Sequence, residues 1–178
     1  MRALVVYESM YGNTRAIAEA IAEGIRPVHD VVVVPVGRVG PQLVDGPFLL
    51  VVGGPTHAHG MTRQRTREAA AEAAGKQDST VVLEDGATGP GVREWLASLG
   101  HLNVLAAAFD TRVDWPAVLS GRASKAIDRE LENHGAHRVA DPESFLVTKE
   151  NELEPGEEDR ARRWGESLAA LTRATRLA

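Results

Sequence analysis

The stretch Ala3-Leu4-Val5-Val6-Tyr7-Glu8-Ser9-Met10-Tyr11-Gly12-Asn13-Thr14 passes from an unbroken apolar run, through a loop of small and hydroxylated residues, into a segment where Ile17, Ile21 and Ile25 recur every fourth position. An apolar run without alternation predicts a strand buried on both faces. The four-residue repeat predicts a helix from about Thr14 to Ile25 with one apolar stripe. Asn13 stands where a helix N-cap is expected. A strand that feeds a helix through such a loop offers free backbone N–H groups and a positive helix end to an anion. Ser9 and Thr14 add hydroxyl donors, and Gly12 lets the backbone bend close to the ligand. An ordinary capped turn uses similar residues, so the meaning of the loop depends on the rest of the chain.

Outward from this unit, four more apolar runs follow: Val31 to Val34, Leu49 to Val52, Val104 to Ala108 and the weaker Ser144 to Val147. Helical patterns separate them, the arrangement of β-α units around a parallel sheet with helices on both faces. Arg122 to His134 places Ala123, Ile127 and Leu131 on one stripe and stops at Gly135, a suitable left-handed C-cap. Glu157 to Leu171 carries Ala161, Trp164, Leu168 and Leu171 at helical spacing, which makes Trp164 a core residue. About fifty residues lie between the third and fourth runs, more than one crossover requires. Thr66 to Ala74 reads as helix, Asp85 to Gly91 as a Gly/Pro-rich loop, and Val92 to Leu99 as a short helix. The chain is therefore expected to be one domain over 1–178, with an insertion at about 61–91 near the active edge.

Composition narrows the function classes. The 178 residues are 43% hydrophobic and 25% charged, enough for a single soluble domain with its own core. With no cysteine there is no disulfide, thiolate nucleophile, Cys-ligated zinc or iron–sulfur cluster, so redox chemistry needs a borrowed cofactor; no metal site is expected. A net charge of -5 without a basic run argues against nucleic acid. The absence of a leader-like or membrane-length apolar run predicts a cytoplasmic protein without a membrane partner.

Other anion loops each lack a working residue here. Neither Gly-x-x-x-x-Gly-Lys-Ser/Thr nor Gly-x-Gly-x-x-Gly is present. A small protein phosphatase would need a cysteine, and a phosphoacceptor domain an aspartate where this chain has Gly53-Gly54. The stretch Tyr7 to Thr14 instead resembles the Ser/Thr-x-Thr/Tyr-Gly-Asn-Thr signature of flavodoxins, at the same strand-to-helix junction. Gly53-Gly54-Pro55-Thr56-His57 matches their Gly-x-Pro/Ser-Thr segment after the third strand. Phe109 to Gly121 matches the spacing of their second flavin loop. The resemblance covers nearly the whole chain. It implies a flavodoxin-like, doubly wound α/β fold with a five-stranded parallel sheet in the order 2-1-3-4-5. It also implies noncovalent flavin mononucleotide (FMN) at the carboxyl ends of the strands, with the switch point between strands one and three.

The resemblance assigns the phosphate to Ser9, Met10, Tyr11, Gly12, Asn13 and Thr14. It assigns the ring to Pro55, Thr56, His57, Ala58, His59 and Gly60 on one side and to Phe109, Asp110, Thr111, Arg112 and Trp115 on the other. The chain departs from the family at the ring. The usual first-loop tryptophan falls on His57, and the usual tyrosine near Pro116, beside Trp115. Trp115 either stacks on the ring, anchors the loop or meets a partner. His57 and His59 are candidate proton donors, or simple loop hydrogen-bonders. Ala58 occupies a position where the family flips a glycine peptide, a motion alanine resists, with Gly60 two residues on. Arg112 either favours the anionic reduced flavin or pairs with Asp110 or Asp114.

Two charged stretches stay open. Arg63, Arg65 and Arg67 either attract an anionic substrate or NAD(P)H phosphate, or form a surface network with Glu68, Glu72 and Glu84. Glu150 to Glu154, with Glu157, Glu158 and Asp159, forms either a solvated face or a docking patch for a basic redox partner. The leading expectation is an FMN electron carrier between a reductase and a protein or small-molecule acceptor. The alternatives are an FMN-dependent NAD(P)H:quinone-type oxidoreductase and a flavin-free interaction module on the same fold.

Overall fold

A computed structural model describes residues 2–44, 46–57, 60–76, 81–116 and 120–177. The run Arg2–Tyr7 forms β1, which pairs in parallel with β2 (Asp30–Pro35) on one side and β3 (Leu49–His57) on the other, with a one-turn helix α2 (Pro41–Val44) between β2 and β3 in the chain. A two-residue β4 (Gly60–Met61) folds back antiparallel on the end of β3, and β5 (Leu105–Val113) lies parallel along its far side. The order β2-β1-β3-β5 and the parallel sense are those expected from the sequence.

The fifth position of the sheet differs from the single strand expected. It is split into β6 (His137–Arg138), beside Leu105 and Ala106, and β7 (Glu143–Val147), beside Phe109 to Val113. Pro142 lies in the gap, and a proline has no N–H to give to a ladder. Both long central strands also run past their apolar cores, β3 to His57 and β5 to Val113, carrying polar residues beyond the sheet layers.

Alternate residues of each central strand supply opposite layers, as the pleat requires. Ala3, Val5, Tyr7, Leu49, Val51, Ala107 and Phe109 face α1 (Asn13–Ile25) and the C-terminal helix α6 (Glu157–Leu177). Leu4, Val6, Leu50, Val52, Ala106 and Ala108 face α4 (Val92–Ala97) and α5 (Ala123–Asn133). Ile17, Ile21 and Ile25 are fully buried, each contributing about 1.5–3 kcal/mol of apolar transfer energy. Trp164 is half-buried, edge-on to Phe109 and Phe145 with centroids 6.4 and 6.2 Å apart. Leu171 is not on the buried stripe, being 45% exposed. Its place is taken by Thr172, whose hydroxyl meets His29 Nε2 at 2.8 Å, because 3.6-residue spacing carries the stripe from Leu168 to Thr172.

The insertion consists of β4's Met61, a short helix α3 (Gln64–Ala74) and an irregular run over 81–91. It is laced to the first loop. Tyr11 Oη donates to Ala70 O (3.0 Å), Glu84 N donates to Met10 O (2.9 Å), and Arg15 pairs with Glu84 (2.8 Å). Among the described residues no helix is long and apolar enough to cross a membrane.

Candidate functional site

The carboxyl ends of β1, β3 and β5 converge on one cleft. It is lined by Ser9, Met10, Tyr11, Asn13 and Thr14 from the first loop, by Pro55, Thr56 and His57, and by Thr111, Arg112 and Val113. Val147 and Asn151 close it from beyond β7. The three segments singled out in the sequence thus meet in space. Val113, Val147 and Asn151 were not foreseen. Asn151 carried one signal, an asparagine in a polar turn, and it adopts the left-handed conformation at φ 66° that asparagine tolerates.

The first loop is built from its own residues. Gly12 adopts φ 97° and precedes α1 directly, so the helix begins at Asn13, one residue earlier than expected. Asn13 therefore does not cap it; its side chain donates to Asn151 O at 2.8 Å, clasping the loop to the far wall. Ser9 Oγ accepts the Gly12 N–H (3.0 Å). The first turn of α1 has neither a side-chain cap nor an acidic residue. Its positive end faces the cleft without compensation from its own segment, and Glu84, the carboxylate beside Gly12, is itself neutralised by Arg15.

Several expected cofactor residues hold the frame, Phe109 and Asp110 in place of lining the cleft and Thr56 while also lining it. Phe109 is fully buried, packed on Phe145 and filling the space over Gly53, where a Cβ would stand 2.1 Å from its ring. Asp110 is also fully buried, and its Oδ2 accepts the Ser124 N–H at 2.7 Å. Thr56 Oγ1 accepts the neighbouring Ala123 N–H at 2.8 Å. The start of α5 has no side-chain cap of its own, so the ends of β3 and β5 cap it from across the sheet. Burial pushes the Asp110 carboxyl above its ordinary value. Phe109 and Asp110 do not line the cleft: Phe109 lies deeper than Thr111 on the same side of the strand, in the core layer under α1 and α6, and the pleat turns Asp110 to the opposite face, toward α5.

Thr111, next along β5, does face the cleft, and its hydroxyl meets Thr14 Oγ1 at 2.7 Å. Arg112 pairs with neither Asp110 nor Asp114. Its Nη1 donates to Trp115 O (2.7 Å), Ser120 Oγ (3.2 Å) and Val113 O (3.3 Å), while its buried Nε finds no partner among the described residues. Trp115 is 49% exposed and lies just past the cleft-lining residues. His57 lines the cleft, and burial lowers its pKa, keeping the imidazole neutral. Gly60 pairs with His57 across β3 and β4 without lining the cleft. Ala58 and His59 lie outside the described residues.

Arg67 departs from both expectations for its cluster. It is 2% exposed, donates to Thr62 Oγ1 (3.0 Å) and pairs with Glu94 (3.2 Å), not with Glu68, Glu72 or Glu84. Thr62 in turn donates to the buried Glu8 carboxylate (2.5 Å), whose other oxygen accepts the Val92 N–H (2.8 Å). Burial raises the Glu8 pKa.

The family model of flavodoxin matches residues 5–164. The chain belongs to the flavodoxin family. No curated protein matches it in sequence. Among solved structures, this flavodoxin-family chain is similar to a flavodoxin from the domain Archaea (22% identity, TM-score 0.65, covering 97% of this chain and 99% of that one). It is also similar to the Streptococcus pneumonia TIGR4 flavodoxin (20% identity, TM-score 0.63, 96% and 99%). A third is the WrbA-like flavodoxin protein from Agrobacterium tumefaciens (19% identity, TM-score 0.61, 97% and 98%). At these identities the likeness concerns the fold.

Proposed function

We propose that the cleft binds FMN noncovalently and that the protein carries electrons between a reductase and an acceptor. The observation that carries the reading is the convergence on one cleft of an uncapped α1 N-terminus, a hydroxyl-lined loop and an Arg112 guanidinium with a free buried Nε. The residues fit the cofactor. The first-loop N–H groups and the Ser9 and Thr14 hydroxyls suit a phosphate monoester, and Arg112 suits the electron-rich edge of a flavin. FMN supplies the redox chemistry when bound, accepting and releasing one or two electrons, which no cysteine-free chain manages unaided. The polypeptide's part is to hold the phosphate with the first loop, orient the ring between the segments at 55–57 and 111–113, and set the local field.

An FMN-dependent NAD(P)H:quinone-type oxidoreductase is the second reading, favoured by one observation: His57 lines the cleft, where its imidazole can hydrogen-bond a substrate, although burial lowers its pKa and so disfavours a role as general acid. Burial of Arg67 removes one of the arginines that would have attracted an anionic substrate.

The absorption spectrum of the purified protein tests the cofactor. Yellow protein, or apoprotein that takes up FMN, is expected; a colourless protein that fails to take it up refutes the reading and supports a flavin-free module. NADPH oxidation with a quinone acceptor then separates the roles. Dependence on an added reductase marks the carrier, and turnover by the holoprotein alone marks the enzyme.

A further inference from the structure

A second, larger cleft of about 760 Å³ lies on the β2 side of the same first loop. Ser9 and Tyr11 line both clefts, so the two meet at the anion loop. The new cleft is walled by the end of β1, by Pro35 to Arg38 after β2, and by the run from Val82 to Pro90. Its volume falls within the range of small-molecule sites.

The chemistry of the walls is that of a nucleotide site. Arg38 is exposed and pairs with no carboxylate among the described residues, leaving its fork free for a phosphate. Asp85 stands opposite, a carboxylate able to accept hydrogen bonds from a ribose diol, while Glu84 beside it is paired with Arg15, which also lines the cleft. Val82 is 82% exposed, a β-branched residue left with nothing over it, while Val36 belongs to the buried core. A flat heteroaromatic base would cover such a surface. Glu8 also borders the cleft, but its carboxylate is occupied by Thr62 and the Val92 N–H.

We propose that this second cleft binds the adenosine 5′-phosphate part of an adenine nucleotide. The base lies on Val82, the ribose faces Asp85, and the phosphate meets Arg38 beside the anion loop. The proposal goes beyond the flavin reading, sharing with it only the loop. Contiguity of the clefts makes two sources of the same chemistry possible: the adenylate half of a flavin adenine dinucleotide whose flavin half fills the first cleft, or that of a nicotinamide dinucleotide donor.

The test is calorimetric titration of FMN-saturated protein with 5′-AMP, FMN itself occupying the anion loop. Binding of AMP is expected, weakened about tenfold by Arg38→Ala and by Val82→Asp with FMN affinity preserved as a control of folding. Absence of AMP binding at millimolar concentration, or equal binding by wild type and both variants, overturns the proposal. If the protein does not take up FMN, the cofactor reading falls separately, and the same titration of the flavin-free protein in excess inorganic phosphate decides the cleft by the same criteria. The source follows from two further arms. Tighter binding of the flavin adenine dinucleotide than of FMN, with the surplus lost in Arg38→Ala, identifies the flavin form. Competition of NADH or NADPH with AMP on the FMN-loaded protein identifies the nicotinamide form.

Discussion

Replacing Gly165 by alanine should loosen the protein by about 2 kcal/mol, although helix propensity alone favours the change by about 1 kcal/mol. Gly165 of α6 and Gly24 of α1 face each other at the helix crossing. A Cβ on Gly165 would stand 2.2 Å from Ile21 O, and one on Gly24 would stand 2.1 Å from Arg162 O. Both clashes are with backbone, so no rotamer change relieves them; the axes must part by roughly 1 Å to restore van der Waals distance. That separation acts on the contacts that hold Ile17, Ile21, Ala161 and Leu168. Overpacking of this kind typically costs about 1–3 kcal/mol, and the rigid partners place it near the upper end, from which the propensity gain is subtracted. Because one parting relieves both clashes, Gly24→Ala/Gly165→Ala should cost clearly less than the sum of the single changes. Urea unfolding of the three variants measures this. A Gly165→Ala protein as stable as wild type or more so, or strict additivity in the double variant, would refute the reasoning. Since α1 carries the anion loop at its other end, FMN affinity should fall alongside stability.

Three further outcomes are expected. Asp110→Ala should cost about 1–2 kcal/mol by removing the cap on Ser124 N, while FMN affinity changes by less than about threefold; a large loss of affinity with intact stability would make Asp110 a ligand instead. Arg112→Ala should lower the flavin's second-electron potential in a redox titration and free Trp115, read as altered fluorescence; an unchanged potential would place the guanidinium's role in the loop alone. Glu8 should make stability depend on pH. Its folded pKa is raised above the ordinary value of 4.5 by burial, so its favourable contribution is fully present below that value and is lost as pH rises through the folded one. The stability of wild type relative to Glu8→Gln should therefore improve as pH is lowered from about 7 to about 4, measured by denaturant unfolding; a gap that widens against wild type in acid would show the sign to be wrong.

How much of this was legible beforehand depends on the range of the interactions involved. The apolar runs, the Ile17-Ile21-Ile25 stripe and the Gly12-Asn13-Thr14 junction are local patterns, and they sufficed for the parallel sheet and the cleft's first wall, while the strand order was implied by the resemblance to flavodoxins. The break in the fifth strand escaped because the weak run from Ser144 to Val147 shows only the half that lies beside Phe109 to Val113. Spacing likewise grouped Phe109, Asp110 and Thr111 as one flavin loop, yet only Thr111 reaches the cleft: Phe109, on the same side of the strand, lies deeper in the core, and the pleat turns Asp110 to the opposite face.

The sequence by itself determined the fold class and marked Ser9 to Thr14 as a loop whose residue types suit an anion, because both follow from periodicity and from residue types close together in the chain. Only the tertiary structure decided which polar groups are free to meet a ligand. Arg67 and Glu8 were consumed in a buried network with Thr62 and Glu94, and Thr56 and Asp110 in capping α5, while Asn151 was brought in from beyond β7 to clasp Asn13. The physical reason is that a buried donor or acceptor must find its partner wherever packing places one, and packing joins residues that the chain keeps far apart.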